Sequence, residues 1–228
     1  MSDGASGGPV RLHHVPGSRS FRVLWLLEEL GILAEIQRYA IGDGSLRDPA
    51  YLTLAPAGRV PALEIDGQAI FESGAIVEFL AETRDEAGLA RMPGDPERAR
   101  YLQCIHFAET QASLIENLNL SHVFLRPPAK PSAPVLKITT ARLRGTLQAL
   151  DALLGEREHL LGEFSAADVM LGFNLWAAPR FVPMDGFPRL LAYRARLEAR
   201  PAFRAAQARD GDAAFYDRDF YPIPEDGA

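Results

Sequence analysis

The stretch Leu12-His13-His14-Val15-Pro16-Gly17-Ser18-Arg19-Ser20 decides the fold. Its apolar residues predict a strand over residues 10–15, which Pro16-Gly17 turns, and hydroxyl residues stand where a helix should begin. Downstream, Val23, Leu26, Leu27 and Leu30 recur at helical spacing over residues 20–30, and Gly31 ends the pattern. Phe21, Leu24 and Trp25 make the other flank apolar as well, so this helix is expected to be buried on two sides.

Working outward, residues 35–40 read as a second strand, followed by a polar stretch with a short helix. Residues 61–65 and 68–71 form a hairpin pattern around Asp66-Gly67, a strong turn pair. Residues 73–81 carry Ile76, Phe79 and Leu80 on one helical face. The first region therefore reads βαβ then ββα, an α/β domain over residues 10–83. Residues 84–96, broken by Gly88, Pro93, Gly94 and Pro96, read as a linker. Residues 97–228 show no convincing strand. Helical patterns cover 97–124, 134–154, 165–176 and 188–199, with a further short helix from Pro201; the four prolines of 126–134 mark a loop. The last stretch carries Phe215, Tyr216, Phe220 and Tyr221 and is expected to dock rather than hang free.

The 228 residues are 47% apolar and 24% charged, which excludes wholesale disorder and fits one large or two small domains. No window holds ~18 uninterrupted apolar residues, so no membrane span is expected. Residues 1–9 are small and polar and read as a disordered tail rather than a signal peptide. The net charge of −6, with no basic run, argues against a nucleic-acid surface. The single Cys104 excludes an internal disulfide and fits the cytoplasm. In its helix, beside Tyr101, Ile105 and Ala108, it reads as a small buried hydrophobe. His106, His122 and His159 share no ligand spacing, so no metal is expected.

Four segments carry chemistry or its imitation. At Ser18 and Ser20, the free N–H groups and positive dipole end of the coming helix favour an anion, and a hydroxyl there can donate to a thiolate or phosphate oxygen. Either serine also suits ordinary capping. In Gly58-Arg59-Val60-Pro61-Ala62-Leu63, the proline opening an apolar strand is an edge residue or a fixed turn. A cis bond there would turn the Val60 N–H and C=O outward to pair with an extended peptide. In Phe71-Glu72-Ser73-Gly74-Ala75-Ile76, Ser73 and the helix N–H groups suit a carboxylate and Glu72 an ammonium, so the pair could hold an amino-acid zwitterion; capping by Ser73 is the alternative. In Phe164-Ser165-Ala166-Ala167-Asp168-Val169, Ser165 and Asp168 have capping-box spacing and Phe164 and Val169 sit at the staple positions, a folding signal.

Taken together, Ser18-Arg19-Ser20-Phe21-Arg22 through Gly31, Ala55 through Leu63, Glu72 through Ile76, and Ser165 through Asp168 resemble the glutathione transferase superfamily over nearly the whole chain, with the first segment most like serine-type bacterial and fungal members. The resemblance implies a thioredoxin-like N-terminal domain followed by an all-α domain, in a homodimer. It implies that Ser18 stabilises the glutathione thiolate, that Val60 pairs with the cysteinyl backbone beside a cis Pro61, that Glu72 and Ser73 hold the γ-glutamyl end, and that Arg59 lies near the glycyl end; Ser20 joins this glutathione-binding set. Ala55 departs from the family, which often has Asn there. His13, His14, Arg19 and Ser20 are alternatives to Ser18, and strand alternation lets at most one of the two histidines approach the thiol. The family builds its electrophile pocket from the helical domain and the loop after the first strand, which makes His106, Phe107, Gln111 and Trp176 the candidate lining.

The activity implied is transfer of glutathione, as co-substrate and with no tightly bound cofactor, to a small hydrophobic electrophile, a detoxification chemistry. A glutathione-dependent disulfide reductase or peroxidase, and a non-catalytic ligand-binding or dimerisation module, are the competing readings. The energetics are modest: bringing a thiol from pKa ~8.5 down by about two units takes ~2.7 kcal/mol. A hydrogen bond to a charged group supplies ~1.5–3 kcal/mol, and a helix N-terminus ~0.3–1 kcal/mol. One hydroxyl on one helix end is therefore enough.

Overall fold

The computed structural model describes residues 9–84 and 88–224; the expected tail of residues 1–9 lies outside the described residues except for Pro9. The chain divides into two compact units, Met1–Ala90 with Arg200–Ala214, and Arg91–Ala199 with Phe215–Ala228.

The first unit is built on a four-stranded sheet of order β2-β1-β3-β4. Strand β1 (Val10–His14) runs parallel to β2 (Ala34–Arg38) and antiparallel to β3 (Ala62–Ile65), which pairs antiparallel with β4 (Gln68–Phe71). In the register, Leu12 stands between Ile36 and Leu63, and it is fully buried. The β3–β4 turn has positive φ at both Asp66 (53°) and Gly67 (73°), the backbone that a two-residue hairpin needs to match strand twist. Helices α1 (Ser20–Glu29), α2 (Pro49–Leu54) and α3 (Ser73–Thr83) complete the βαβ–ββα order. The polar stretch before β3 holds a 3₁₀ turn (Ser45–Arg47) as well as α2.

All eight residues from Ser20 to Leu27 are buried, as two-sided burial requires. The element on the second side is the last helix, α8 (Pro201–Asp210), which corrects the expected division of the chain. Its Phe203 meets Trp25 edge-on, with ring centroids 4.9 Å apart, and Phe21 at 5.4 Å. Burying such rings stabilises by roughly 1.5–3 kcal/mol each, and the edge-to-face geometry adds ~0.5–1.5 kcal/mol. Arg200 clamps Glu29 through two bonds of 2.7 and 2.8 Å, and Arg209 pairs with Glu28. The helical stretch from residue 97 onward is thus not one domain: Arg200–Ala214 belongs with the sheet.

The second unit is helical. Helix α4 (Arg98–Asn119) continues into a single π-helical turn (Leu120–Phe124), followed by α5 (Ala133–Leu154), α6 (Ala166–Ala177) and α7 (Pro188–Glu198). Helix α6 is the central element, with every residue from Ala166 to Leu175 buried. Its start is closed from within. Asp168 Oδ2 accepts from the Ser165 main-chain N–H (2.8 Å) and hydroxyl (2.9 Å), and Oδ1 accepts from Leu160 N–H (3.0 Å) and the Tyr193 hydroxyl (2.6 Å). The aromatic C-terminal stretch docks as expected: Tyr216 lies over the Arg180 guanidinium at 4.0 Å, and Tyr221 is buried and donates its N–H to Arg180 C=O. Among the described residues no helix is long and apolar enough to cross a membrane.

Candidate active site at the start of the first helix

Strand β1 delivers two histidines to opposite faces. His13 is held away from the start of α1: its Nδ1 lies 2.8 Å from the Tyr39 hydroxyl and its Nε2 2.9 Å from Glu64 Oε1. His14, fully buried, lies against α1 and α8 instead. After β1 the chain turns at Pro16-Gly17, and the Ser18 N–H closes on Val15 C=O at 3.2 Å.

Neither serine is the cap that simple helix-start chemistry suggests. Arg19 takes the N-cap position and supplies no side-chain cap. Ser18, half-buried, accepts one long bond from the Ser20 N–H (3.3 Å) and lies 2.7 Å from the Ser20 hydroxyl. Ser20 is fully buried; its hydroxyl oxygen accepts from Val15 N–H (3.3 Å) and lies 2.8 Å from His14 Nδ1. Ser20 is therefore corrected from a ligand contact to a group one layer behind Ser18. Of the two hydroxyls, Ser18 is the one within reach of a ligand.

Ser73 sits at the first position of α3, and it too is not the cap. The N-cap is Glu72, which makes no side-chain cap bond and holds φ at +75°. A left-handed non-glycine residue costs of order 1–3 kcal/mol and persists where its surroundings impose it. The buried Ser73 hydroxyl accepts from Arg22 at 3.0 Å. Arg22 is itself fully buried and lies one turn on from Ser18, so this bond ties the starts of α1 and α3 together. In the sequence Arg22 stands only as part of the helical pattern. Its signal is that it is the one charge among residues 20–27, a stretch apolar on both flanks, where a buried partner is needed.

The third segment is shaped at Gly58, whose φ is +61°; a Cβ there would lie 2.9 Å from Leu46 C=O. The turn closes through Gly58 N–H to Ala55 C=O at 2.8 Å, a main-chain bond that alanine at position 55 does not disturb. The Tyr51 hydroxyl donates to Arg59 C=O at 2.6 Å, leaving the Arg59 side chain exposed. The Val60–Pro61 bond is cis. Among the described residues neither main-chain polar group of Val60 has a hydrogen-bond partner.

Comparison with known proteins gives this arrangement its family. The model of the glutathione S-transferase N-terminal domain matches residues 8–82. Glutathione S-transferase 3 of Schizosaccharomyces pombe is 30% identical over 213 residues, 88% of each chain. The chain belongs to the glutathione transferase superfamily. A maleylacetoacetate isomerase of Pseudomonas aeruginosa is 34% identical over 167 residues, 72% of this chain and 77% of that protein. Among solved structures, a sphingomonad glutathione S-transferase complexed with glutathione superposes with a TM-score of 0.75 at 29% identity, over 89% of this chain and all of its own.

The four residues that the superfamily resemblance suggested for the electrophile pocket stand in different surroundings. Gln111 is fully buried and donates to Thr146 of α5 at 3.2 Å, so it serves helix packing and is corrected. Trp176 belongs to the aromatic group of Phe173, Arg180 and Tyr216, with the Arg180 guanidinium 5.3 Å from its ring. His106 is exposed and Phe107 half-buried on α4. Cys104 is fully buried, and burial pushes its thiol up to about 11, which keeps it neutral and unreactive.

Proposed function

We propose that the chain binds glutathione across Ser18, Val60 and Glu72-Ser73, and that Ser18 stabilises the thiolate for attack on a small hydrophobic electrophile. The observation that carries the reading is the half-buried Ser18 hydroxyl at a helix start whose N-cap residue supplies no side-chain cap. Val60, with both main-chain groups unpartnered, is the natural partner for the cysteinyl main chain. Ser73, backed by Arg22, and the first N–H groups of α3 suit the γ-glutamyl carboxylate, with Glu72 for its ammonium and Arg59 toward the glycyl carboxylate. Calorimetric titration of glutathione into wild type and Ser73→Ala tests this: loss of one charge-assisted bond of ~1.5 kcal/mol predicts about tenfold weaker binding. Undetectable wild-type binding at millimolar glutathione would sink the proposal.

A second use of the same thiolate is favoured by the 34% identity to an isomerase. Addition to a conjugated double bond followed by release would regenerate glutathione, so measuring whether glutathione is consumed separates the two. We also assign a homodimer, the form expected of long apolar-faced helices and supported by Val135 and Ile138, each 55% exposed on α5. Sedimentation should show about twice the 25.0 kDa of one chain, and a monomer at micromolar concentration would contradict it. The cytoplasm is the location that fits a lone, buried cysteine.

A further inference from the structure

A buried chain of polar groups runs back from Ser18. Ser18 Oγ lies 2.7 Å from Ser20 Oγ, and Ser20 Oγ lies 2.8 Å from His14 Nδ1. On the far side of the ring, His14 Nε2 lies 3.1 Å from Asp210 main-chain O and 3.1 Å from its carboxylate Oδ1. The hydrogen bond runs to the main-chain oxygen, and Oδ1, buried, has no hydrogen-bond partner. Asp210 Oδ2 accepts from Gly17 N–H at 3.1 Å, which fixes the carboxylate against the turn that carries Ser18. We infer that this chain is a proton relay, in which His14, steadied by Asp210, takes up the proton of the bound thiol through Ser20 and Ser18. The inference rests on the placement of the thiol at Ser18.

The direction of each bond follows from donor and acceptor chemistry. Both atoms facing Nε2 are acceptors, so Nε2 carries the ring proton and a neutral ring presents a lone pair at Nδ1. The Ser20 O–H faces two acceptors, Nδ1 at 2.8 Å and Val15 C=O at 3.2 Å, and the shorter contact takes it, while the Ser20 oxygen accepts from Val15 N–H and from the Ser18 O–H. Ser18 is left with an oxygen lone pair for an incoming thiol. In the transfer, the S–H bond breaks as a proton joins Ser18 Oγ. The former Ser18 proton passes to Ser20 Oγ, and the former Ser20 proton passes to Nδ1. The products are a thiolate and an imidazolium, and no proton leaves the site. The O–H that Ser18 now carries already points at the thiolate, so one set of shifts both removes the proton and aims the donor that stabilises the anion.

A free thiol and a free imidazole differ by about 2 in pKa, against transfer. Oδ1 of Asp210 lies 3.1 Å from the ring that receives the proton, and the Ser18 bond and helix N-terminus face the thiolate. The other charged groups on elements around His14 are already engaged. Arg38, opposite His14 in the β1–β2 register, donates to Arg209 C=O, and the Arg209 guanidinium binds Glu28 and Ala34 C=O. His14 touches no substrate; it is a positioning residue that also stores a proton.

The test measures two quantities on wild type, His14→Asn, Asp210→Asn and Ser18→Ala, each first checked for native thermal unfolding. One is the ultraviolet absorbance of bound thiolate against pH. The other is proton release on glutathione binding, from calorimetry in buffers of different ionisation enthalpy. His14→Asn keeps a polar atom at the Nδ1 position but cannot hold the proton. Wild type should form thiolate at neutral pH with little proton release, whereas in His14→Asn any thiolate should be matched by a released proton and its pKa should rise by about 1. Asp210→Asn should move both readouts the same way and serves if His14→Asn does not fold. A wild type that releases one proton per thiolate, or substituted proteins whose titrations overlay it, would overturn the relay. If Ser18→Ala also leaves the thiolate titration unmoved, the placement of the thiol at Ser18 has failed; if it shifts while His14→Asn does not, the relay alone has failed.

Discussion

Two helix starts in this chain carry serine and treat it in opposite ways. At α6, Ser165 and Asp168 bond each other, and the second Asp168 oxygen is taken by Leu160 N–H and the Tyr193 hydroxyl. Ser165 and Asp168 are fully buried there, and the polar atoms that frame the start are spent on folding. At α1, the N-cap position falls to Arg19, which supplies no side-chain cap, and Ser18 stays half-buried beside a buried second serine. The difference teaches what separates a serine hydroxyl enclosed by its helix start from one left accessible. The residue type is the same, but only at α1 does the helix start leave a hydroxyl both reachable from solvent and backed by further polar groups.

That contrast is easiest to break at α6. Replacing Asp168 by Ala strands the Leu160 N–H and the Tyr193 hydroxyl in the interior, at ~1–3 kcal/mol each, so urea unfolding should show a loss of about 3–5 kcal/mol. A loss below about 1 kcal/mol would mean that α6 is not held as described. At α1 the expected signs are reversed. Ser18→Ala should cost less than about 1 kcal/mol of stability, yet raise the pKa of bound glutathione by ~1–2 and move the pH–rate profile to higher pH. Affinity should change little, because the glutamyl contacts remain. A profile that overlays wild type would refute Ser18 and transfer suspicion to Arg19. The smallest effect concerns the protein's own thiol. With its folded pKa raised to about 11, Cys104 is neutral at pH 8, so a thiol reagent should leave the native protein unlabelled and label it fully in urea. Labelling of the native protein at the rate of a free thiol would show that α4 opens.

Much of this was legible in the sequence because it is local. The hairpin follows from Asp66-Gly67, the double burial of α1 from its apolar flanks, and the α6 box from the spacing of Ser165 and Asp168. The residues proposed for glutathione could be singled out for the same reason, since Ser18, Val60 and Glu72-Ser73 each sit in a short turn with its own chemistry. What sequence reading missed is long-range. The aromatic face of α8 could have met either unit, and only the structure shows Phe203 against Trp25. His14 and Asp210 lie 196 positions apart, and no local pattern joins them. Gln111 failed for a related reason: a polar residue on a helix looks available until its partner on another helix, Thr146, is known.

The attachment of α8 also bears on how the protein is made. Domains of a growing chain generally fold as units, the N-terminal one first. Here the sheet unit cannot finish in that order, because the helix that covers Phe21 and Trp25 follows α4 to α7 in the chain. Until α8 emerges, the outer flank of α1 is a bare aromatic surface, and His14 lacks the carboxylate that faces it. Residues as far as Asp210 must therefore leave the ribosome before the first unit is complete, which ties maturation of the proposed glutathione site to the synthesis of α8.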